Sequence, residues 1–342
     1  MDGALPFALL KRMSKLDQEI DAQVFGSRPQ YTLEQHAELL GVTPEHANNL
    51  SHWAGRLPGT PDELRYSEAD RAAAAGALKF AAYEGLSQAE LGDFVRSMAF
   101  AMERLAARQV EAVIQKIVRE EHVSDTEARL RAAERVPDLA QEILPLLNHV
   151  YLRQFVGATR RLTVKAIAQR GLTNDDDDYP LVRAIGFADL ADFTKISATA
   201  TPGELAELIR TFQSICWDVV NRHKGRVVNF IGDQVFYVAD TIADGAAIAL
   251  ELANLATLTT CGTTAHAGLS WSRVITAEGD IFGPGVNLAA RLCDAASSGE
   301  VLVDAKAAEL LALNGKFQVV SMPDDDAALP AGTARVTYAA NS

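Results

Sequence analysis

Arg226-Val227-Val228-Asn229-Phe230-Ile231-Gly232-Asp233-Gln234-Val235-Phe236-Tyr237-Val238 reads as two β-branched and aromatic runs around Gly232-Asp233, the signature of a β-hairpin. Working outward, Pro202 to Arg222 before it and Asp240 to Thr257 after it carry helical spacing of apolar residues. Beyond these lie a buried strand from Leu181 to Ala188, a strand from Ala265 to Ile275, a helix from Pro284 to Ala295 and a short strand from Glu300 to Val303. The order β-α-β-β-α-β with additions predicts an α+β, ferredoxin-like or palm-type fold for residues 181 to 342. Such a fold by itself assigns no function.

Residues 1 to 170 read differently. Ala, Leu, Glu, Arg and Gln dominate and nothing there resembles a strand, so an all-α domain is expected. Val110, Val113, Ile114, Ile117 and Val118 give the stretch from Ser87 to Glu121 an apolar face for a bundle or a second subunit. A further helical stretch from Ser124 to Ala168 is expected to break or bend at Pro137 and Pro145. Gly171 to Pro180, with Asp175, Asp176, Asp177 and Asp178 in a row, reads as a solvated acidic linker between the two domains.

The chain has 342 residues and a net charge of −13, which argues against gripping nucleic acid through its overall field. Cys216, Cys261 and Cys293 sit apart among apolar neighbours, as buried thiols of a reducing compartment do. No apolar run reaches the roughly 18 residues a membrane-spanning helix needs, so a cytoplasmic protein without a transmembrane segment is expected.

Two carboxylates end apolar strands at turns, Asp189 and Asp233. If their strands are neighbours, the pair can converge on hard divalent cations, which prefer oxygen ligands. Taken alone, they read equally well as a strand-end cap and a turn residue. Three segments in order change that balance: Phe187-Ala188-Asp189-Leu190-Ala191-Asp192-Phe193-Thr194, Val228-Asn229-Phe230-Ile231-Gly232-Asp233, and Gly279-Asp280-Ile281-Phe282-Gly283-Pro284-Gly285-Val286-Asn287-Leu288-Ala289-Ala290-Arg291. Together they resemble the catalytic domain of class III adenylate and guanylate cyclases over residues 181 to 321.

The resemblance implies conversion of ATP to 3′,5′-cyclic AMP and pyrophosphate. Asp189 and Asp233 match the family's metal aspartates, implying two Mg²⁺ or Mn²⁺ ions per site. Backbone N–H groups from Leu190 to Thr194 would cradle phosphate, with Phe187 and Thr194 bounding that substrate-binding segment. Asn287 matches the residue that orients the ribose, and Arg291 the arginine that stabilises charge on the α-phosphate. Asp280 matches the aspartate that accepts from the adenine 6-amino group. Asn229 stands where adenylate cyclases usually carry Lys; its amide can still donate to adenine N1. Asp192 replaces the family's usual Gly, which could perturb the turn or add a carboxylate near the metals. His266 stands where many members have an Arg that reaches the triphosphate; a strand histidine satisfied by a neighbour is the alternative. The family's domains pair head to tail, implying a homodimer with composite sites and an inactive monomer.

Tyr31 to Glu45 resembles a helix-turn-helix of the mercury-resistance regulator type, with Gly41 in the turn, Thr43 as cap and Pro44 at the first helical position. Between Gln30 and Leu57 the only Lys or Arg is Arg56, which speaks for a degenerate motif around residues 31 to 56 kept as a regulatory scaffold. The expected regulator of the N-terminal domain is an effector of unknown type: pH, a lipid or a small ligand. Tyr151 to Gln169 is the expected relay to the catalytic pair. A weak or inactive nucleotide-binding signalling protein, and a helix-turn-helix transcription regulator, are the competing functions.

Overall fold

The computed structural model describes residues 19–56, 59–60, 62–169, 181–254, 263–277, 279–323 and 329–340. The expected acidic linker, 171–180, and Cys261 lie outside these residues. The chain forms two compact units, Met1–Ile167 and Ala168–Ser342.

Helix starts in the first unit follow local capping chemistry. Thr32 with Gln35 opens α1 (Leu33–Leu40), Ser67 with Asp70 opens α3 (Glu68–Glu84), and Ser87 with Glu90 opens α4 (Gln88–Glu121), each a reciprocal capping box. Thr43 caps α2 (Pro44–Trp53), with Pro44 in its first turn. Gly41 and Gly85 stop α1 and α3 in the left-handed conformation, at φ 68° and 70°. The helix α5 (Asp125–Gln169) runs on past Pro137 and Pro145, so of the expected break or bend the break does not occur. An interior proline removes one helical hydrogen bond, a loss that a helix flanked by intact turns can absorb. One isolated bridge, Tyr31 to Tyr66, is the β-structure that composition did not foreshadow in this half.

Ile114 and Ile117 of α4 pack on Ala128 and Ala132 of α5. The helix-turn-helix closes over Tyr66, whose ring stacks on buried His36 with centroids 4.3 Å apart. Arg56, the motif's single cation, is spent internally: it pairs with Asp70 at 2.6 Å, donates to the Arg65 carbonyl and lies over the Tyr66 ring. None of that leaves it free for a phosphate backbone.

The second unit is built on an eight-stranded sheet in the order β2-β3-β1-β4-β6-β8-β7. Its strands are β1 (Leu181–Leu190), β2 (Arg226–Ile231), β3 (Gln234–Ala239), β4 (Ala265–Ala277), β5 (Asp280–Phe282), β6 (Val301–Val303), β7 (Phe317–Ser321) and β8 (Ala334–Tyr338), with β5 paired to β4 off the main path. β1 runs antiparallel to both β3 and β4, which makes the first four strands the ferredoxin-like core, and β6 extends it parallel to β4. The helices are α6 (Phe193–Thr199), α7 (Pro202–Arg222), α8 (Ile242–Ala253), α9 (Pro284–Ala295) and α10 (Ala305–Ala312).

Strand alternation sorts the cores. Ala184, Ala188 and Leu190 of β1 join Phe212 of α7 and Ile248 of α8 on one side, while Ile185 and Phe187 join Phe236 of β3 and Ala289 and Cys293 of α9 on the other. Gly268 lets α9 lie directly on β4: a Cβ there would meet Cys293 N at 2.2 Å and Ala289 O at 2.3 Å. Cys216 and Cys293 are buried free thiols. Among the described residues no helix is long and apolar enough to cross a membrane.

Candidate active site

Asp189 is the penultimate residue of β1, opposite Gln234 on β3 and His266 on β4. Gly232, at φ 64°, turns the β2-β3 hairpin and places Asp233 beside it. The Leu190 N–H reaches both Asp189 Oδ1, at 3.1 Å, and the Asp233 carbonyl, at 3.4 Å. The two carboxyl groups face each other closely enough to share a hydrogen bond. Burial, then the charge of Asp233 and that shared bond, push Asp189 up to about 7.

A pair of carboxylates that holds a proton this tightly fits a divalent cation, which would take the proton's place. Among the described residues no group of three or more His, Cys, Asp or Glu forms a metal cage. Two carboxylates, with phosphate and water oxygens completing the shell, is the pattern Mg²⁺ favours.

Two neighbours complete this end of the sheet. His266 has a buried Nδ1 without a hydrogen-bond partner among the described residues. Burial lowers its pKa, against the opposing pull of Asp294 and Asp233. Asp294, near the end of α9, also bears on Asp189 and was missed from sequence. Its helical position, three residues after Arg291, was visible; that α9 ends against this corner was not.

The turn after Asp189 accounts for one departure from the family pattern. Asp192, where Gly is usual, adopts the left-handed conformation at φ 58°, ψ 19°, so the turn keeps the shape a glycine would give it. Its carboxylate pairs with Lys195. Thr194, in the first turn of α6, is exposed. Phe187 is not a contact surface: it is 5% exposed and its ring stacks on Phe236 with centroids 4.7 Å apart, a wall beneath the carboxylates.

The remaining candidates gather elsewhere. Asp280 opens β5 opposite Ala277, is exposed, and accepts from Ile281 N at 3.0 Å. The Gly279 carbonyl before it accepts from Arg226 at the start of β2, at 3.1 Å, bringing the Asp280 turn to the strand that carries Asn229. Asn229 lies after a register shift in β2, opposite Phe236. Asn287 and Arg291 sit one turn apart on α9, exposed, and neither makes a side-chain hydrogen bond or ion pair among the described residues. The length of β2, about 17–20 Å for a strand of this size, separates the Asp280 turn from the Asp233 turn. Within one chain the carboxylate pair and Asp280 therefore do not meet.

Comparison with known proteins accords with this geometry. Residues 182–341 match the family model of the adenylate and guanylate cyclase catalytic domain. The chain is 30% identical over 305 residues to an adenylate cyclase of Glutamicibacter nicotianae, covering 87% of this chain and 76% of that one. It is 30% identical over 297 residues to an adenylate cyclase of Streptomyces coelicolor, covering 85% and 74%. The adenylyl cyclase CyaB from P. aeruginosa superposes with a TM-score of 0.39 at 18% identity, covering 47% of this chain and 94% of that one. A paired-carboxylate corner inside a sheet of this topology, matched in sequence along most of its length, places the chain in the class III adenylate and guanylate cyclase family.

Proposed function

We propose that the protein is an adenylate cyclase that converts ATP to 3′,5′-cyclic AMP and pyrophosphate. The observation that carries this reading is the convergence of Asp189 and Asp233, with Asp189 pushed up to about 7 by burial and by its neighbour. In the reaction the ribose 3′-oxygen bonds to the α-phosphorus, the bond from that phosphorus to the bridging oxygen breaks, and the hydroxyl proton is lost. Asp189 and Asp233 would hold two Mg²⁺ or Mn²⁺ ions, which when bound acidify the hydroxyl and neutralise phosphate charge. Of the backbone N–H groups from Leu190 to Thr194, those of Leu190 and Ala191 are already bonded within the fold, to Asp189 and Asp233 and to the Thr264 carbonyl, which leaves Asp192 to Thr194 to hold phosphate oxygens; His266 faces the same corner. Asn287 orients the ribose, while the unpaired Arg291 guanidinium stabilises the charge that builds on the α-phosphate.

Base choice falls to Asp280 and Asn229, which Arg226 ties to one region. An acceptor for the 6-amino group and an amide donor for N1 suit adenine. Because the carboxylate pair and Asp280 stand a strand's length apart, each site is completed by a second chain, and the homodimer carries two. Residues 1–170 would regulate how that pair assembles.

The test is product formation by the full-length protein from ATP and from GTP, with Mg²⁺ or Mn²⁺. Cyclic AMP should dominate, and Asn229→Lys should raise the preference for ATP about tenfold by restoring a charge-assisted bond. No cyclic product from either nucleotide would leave a nucleotide-binding protein without turnover.

A further inference from the structure

The catalytic unit holds a cavity of about 460 Å³ that the proposed reaction does not use. Four elements line it: Val182 at the start of β1, Trp271, Ser272 and Arg273 on β4, Pro284 at the first position of α9, and Lys306 in the first turn of α10. It lies away from the carboxylate corner. Strand register pairs Asp189 with His266 and Val182 with Arg273, so seven residues of β4, about 23 Å at a strand's rise, separate the two places. The volume falls within the range of small-molecule sites, roughly 300–1,000 Å³.

The walls are held from behind. The buried Asp304 carboxylate accepts from the Trp271 N–H at 3.0 Å, from the Ala307 N–H at 2.7 Å and from the Ser270 hydroxyl. One side chain thereby ties the strand that carries Trp271 to the cap of the helix that carries Lys306. On the other side the first turn of α9 is seated on β4, since a Cβ on Gly285 would meet Ser272 Cβ at 2.2 Å. A surface supported in this way needs little rearrangement to receive a ligand.

The chemistry of the lining names the class of ligand. Trp271 is half-buried and packs in part against the core, while Val182 and Pro284 add apolar surface beside it. Arg273 and Lys306 are the charged residues of the lining, and among the described residues no carboxylate joins them. That local balance is opposite to the chain's net charge of −13. Lys306 pairs with Glu309 at 2.7 Å, but both side chains are more than half exposed, and such a pair is weak enough to yield to a better-placed anion. An indole stacks flat rings, and guanidinium and ammonium groups take carboxylate or phosphate oxygens.

We propose that this cavity binds a small organic anion, a flat ring bearing one carboxylate or phosphate group, with the ring against Trp271 and the anion between Arg273 and Lys306. The ligand rests on the first turn of the helix that presents Asn287 and Arg291.

The full-length chain labelled with 5-fluorotryptophan reports from Trp53, Trp217 and Trp271, and Trp271→Phe identifies the third signal. Without metal or nucleotide, phenyl phosphate or benzoate should move the Trp271 signal saturably, with a dissociation constant of about 1 mM or tighter, and the tighter of the two names the anion. Benzamide, which keeps the ring without the charge, and inorganic phosphate, which keeps the charge without the ring, should each bind at least about tenfold more weakly. The double variant Arg273→Gln/Lys306→Gln should weaken binding at least about tenfold, with the Trp53 and Trp217 signals unchanged as the control for folding. The proposal is overturned if Trp271 shows no saturable shift up to about 10 mM, if benzamide binds as tightly as the anions, or if the double variant stays within about threefold of wild type. None of these readings involves turnover, so a failed cyclase assay and a failed anion site are distinguishable.

Discussion

The two halves of the molecule are unfinished in opposite senses. The catalytic unit buries its apolar residues on both faces of a sheet and leaves its polar chemistry open: Asp280, Asn287 and Arg291 are exposed. The long N-terminal helices pair their charges well, as Arg131 and Arg135 do with Glu121, yet leave Phe100, Phe155 and Leu162 in water. An exposed guanidinium in a sheet-and-helix frame points to a missing substrate or catalytic partner. An exposed row of Leu and Phe on a helix points to a missing wall.

The largest effect that can break this comparison is catalytic. Asp189→Ala and Arg291→Ala should each lower kcat by about 10²- to 10³-fold or more, the scale of losing a transition-state contact. Mixing the two inactive variants should restore a measurable fraction of wild-type rate, because a mixed dimer keeps one site with both groups intact. If each variant folds and dimerises but the mixture stays inactive, carboxylates and arginine act within one chain and the composite reading fails.

A smaller effect sharpens the contrast in packing. Gly268→Ala drives a Cβ into the backbone of α9, which cannot give as a flexible side chain could. It should destabilise the catalytic unit by about 3 kcal/mol, the upper range for overpacking. In a unit of this size that lowers Tm by about 6–12 °C. Gly203→Ala on α7, with nothing within 4 Å, should be neutral or slightly stabilising. Equal thermal shifts in the two variants would show that α9 is not packed as tightly as its contacts indicate.

The same contrast decides what could be read in the sequence. The hairpin around Gly232-Asp233 and the bounds of α9 were legible because alternation, capping and helical spacing are local. The paired carboxylates were legible once three motifs fell in order. Asp192 was a visible departure from the family pattern, but only its backbone angle shows that the turn survives. Asp294 was not legible as part of the corner, since nothing local says where a helix ends against a sheet. Of the break or bend expected at Pro137 and Pro145, the break fails because the turns on either side of each proline carry the helix on past it. β7 and β8 went unread because their pairing is with each other and with β6, at the far side of the sheet.

The smallest effect concerns a closed part of the N-terminal unit, the packing of α1 on Tyr66. His36 is fully buried on Tyr66, and neither ring nitrogen has a hydrogen-bond partner among the described residues. Burial lowers its pKa from 6.5; Asp70 pulls the other way, while Arg56 and Arg71 add to the fall. Below pH 6.5 the unfolded chain therefore binds a proton that the folded unit refuses, and stability is lost as pH falls from 6.5 toward the folded value. The slope cannot exceed about 1.4 kcal/mol per pH unit for one group. Hydrogen exchange of α1 and α2 amides at pH 7.5, 6.5 and 5.5, corrected for intrinsic exchange rates, should show opening become easier with acid, and His36→Phe, which keeps a ring on Tyr66, should flatten the dependence. Asp70, Glu68 and Glu90 cannot mimic this. Their pKa values are lowered from 3.8 and 4.5, so the stability they add is lost only below that range. A slope that persists in His36→Phe between pH 7.5 and 5.5 would mean that another group carries it, and that this buried imidazole is merely part of the packing.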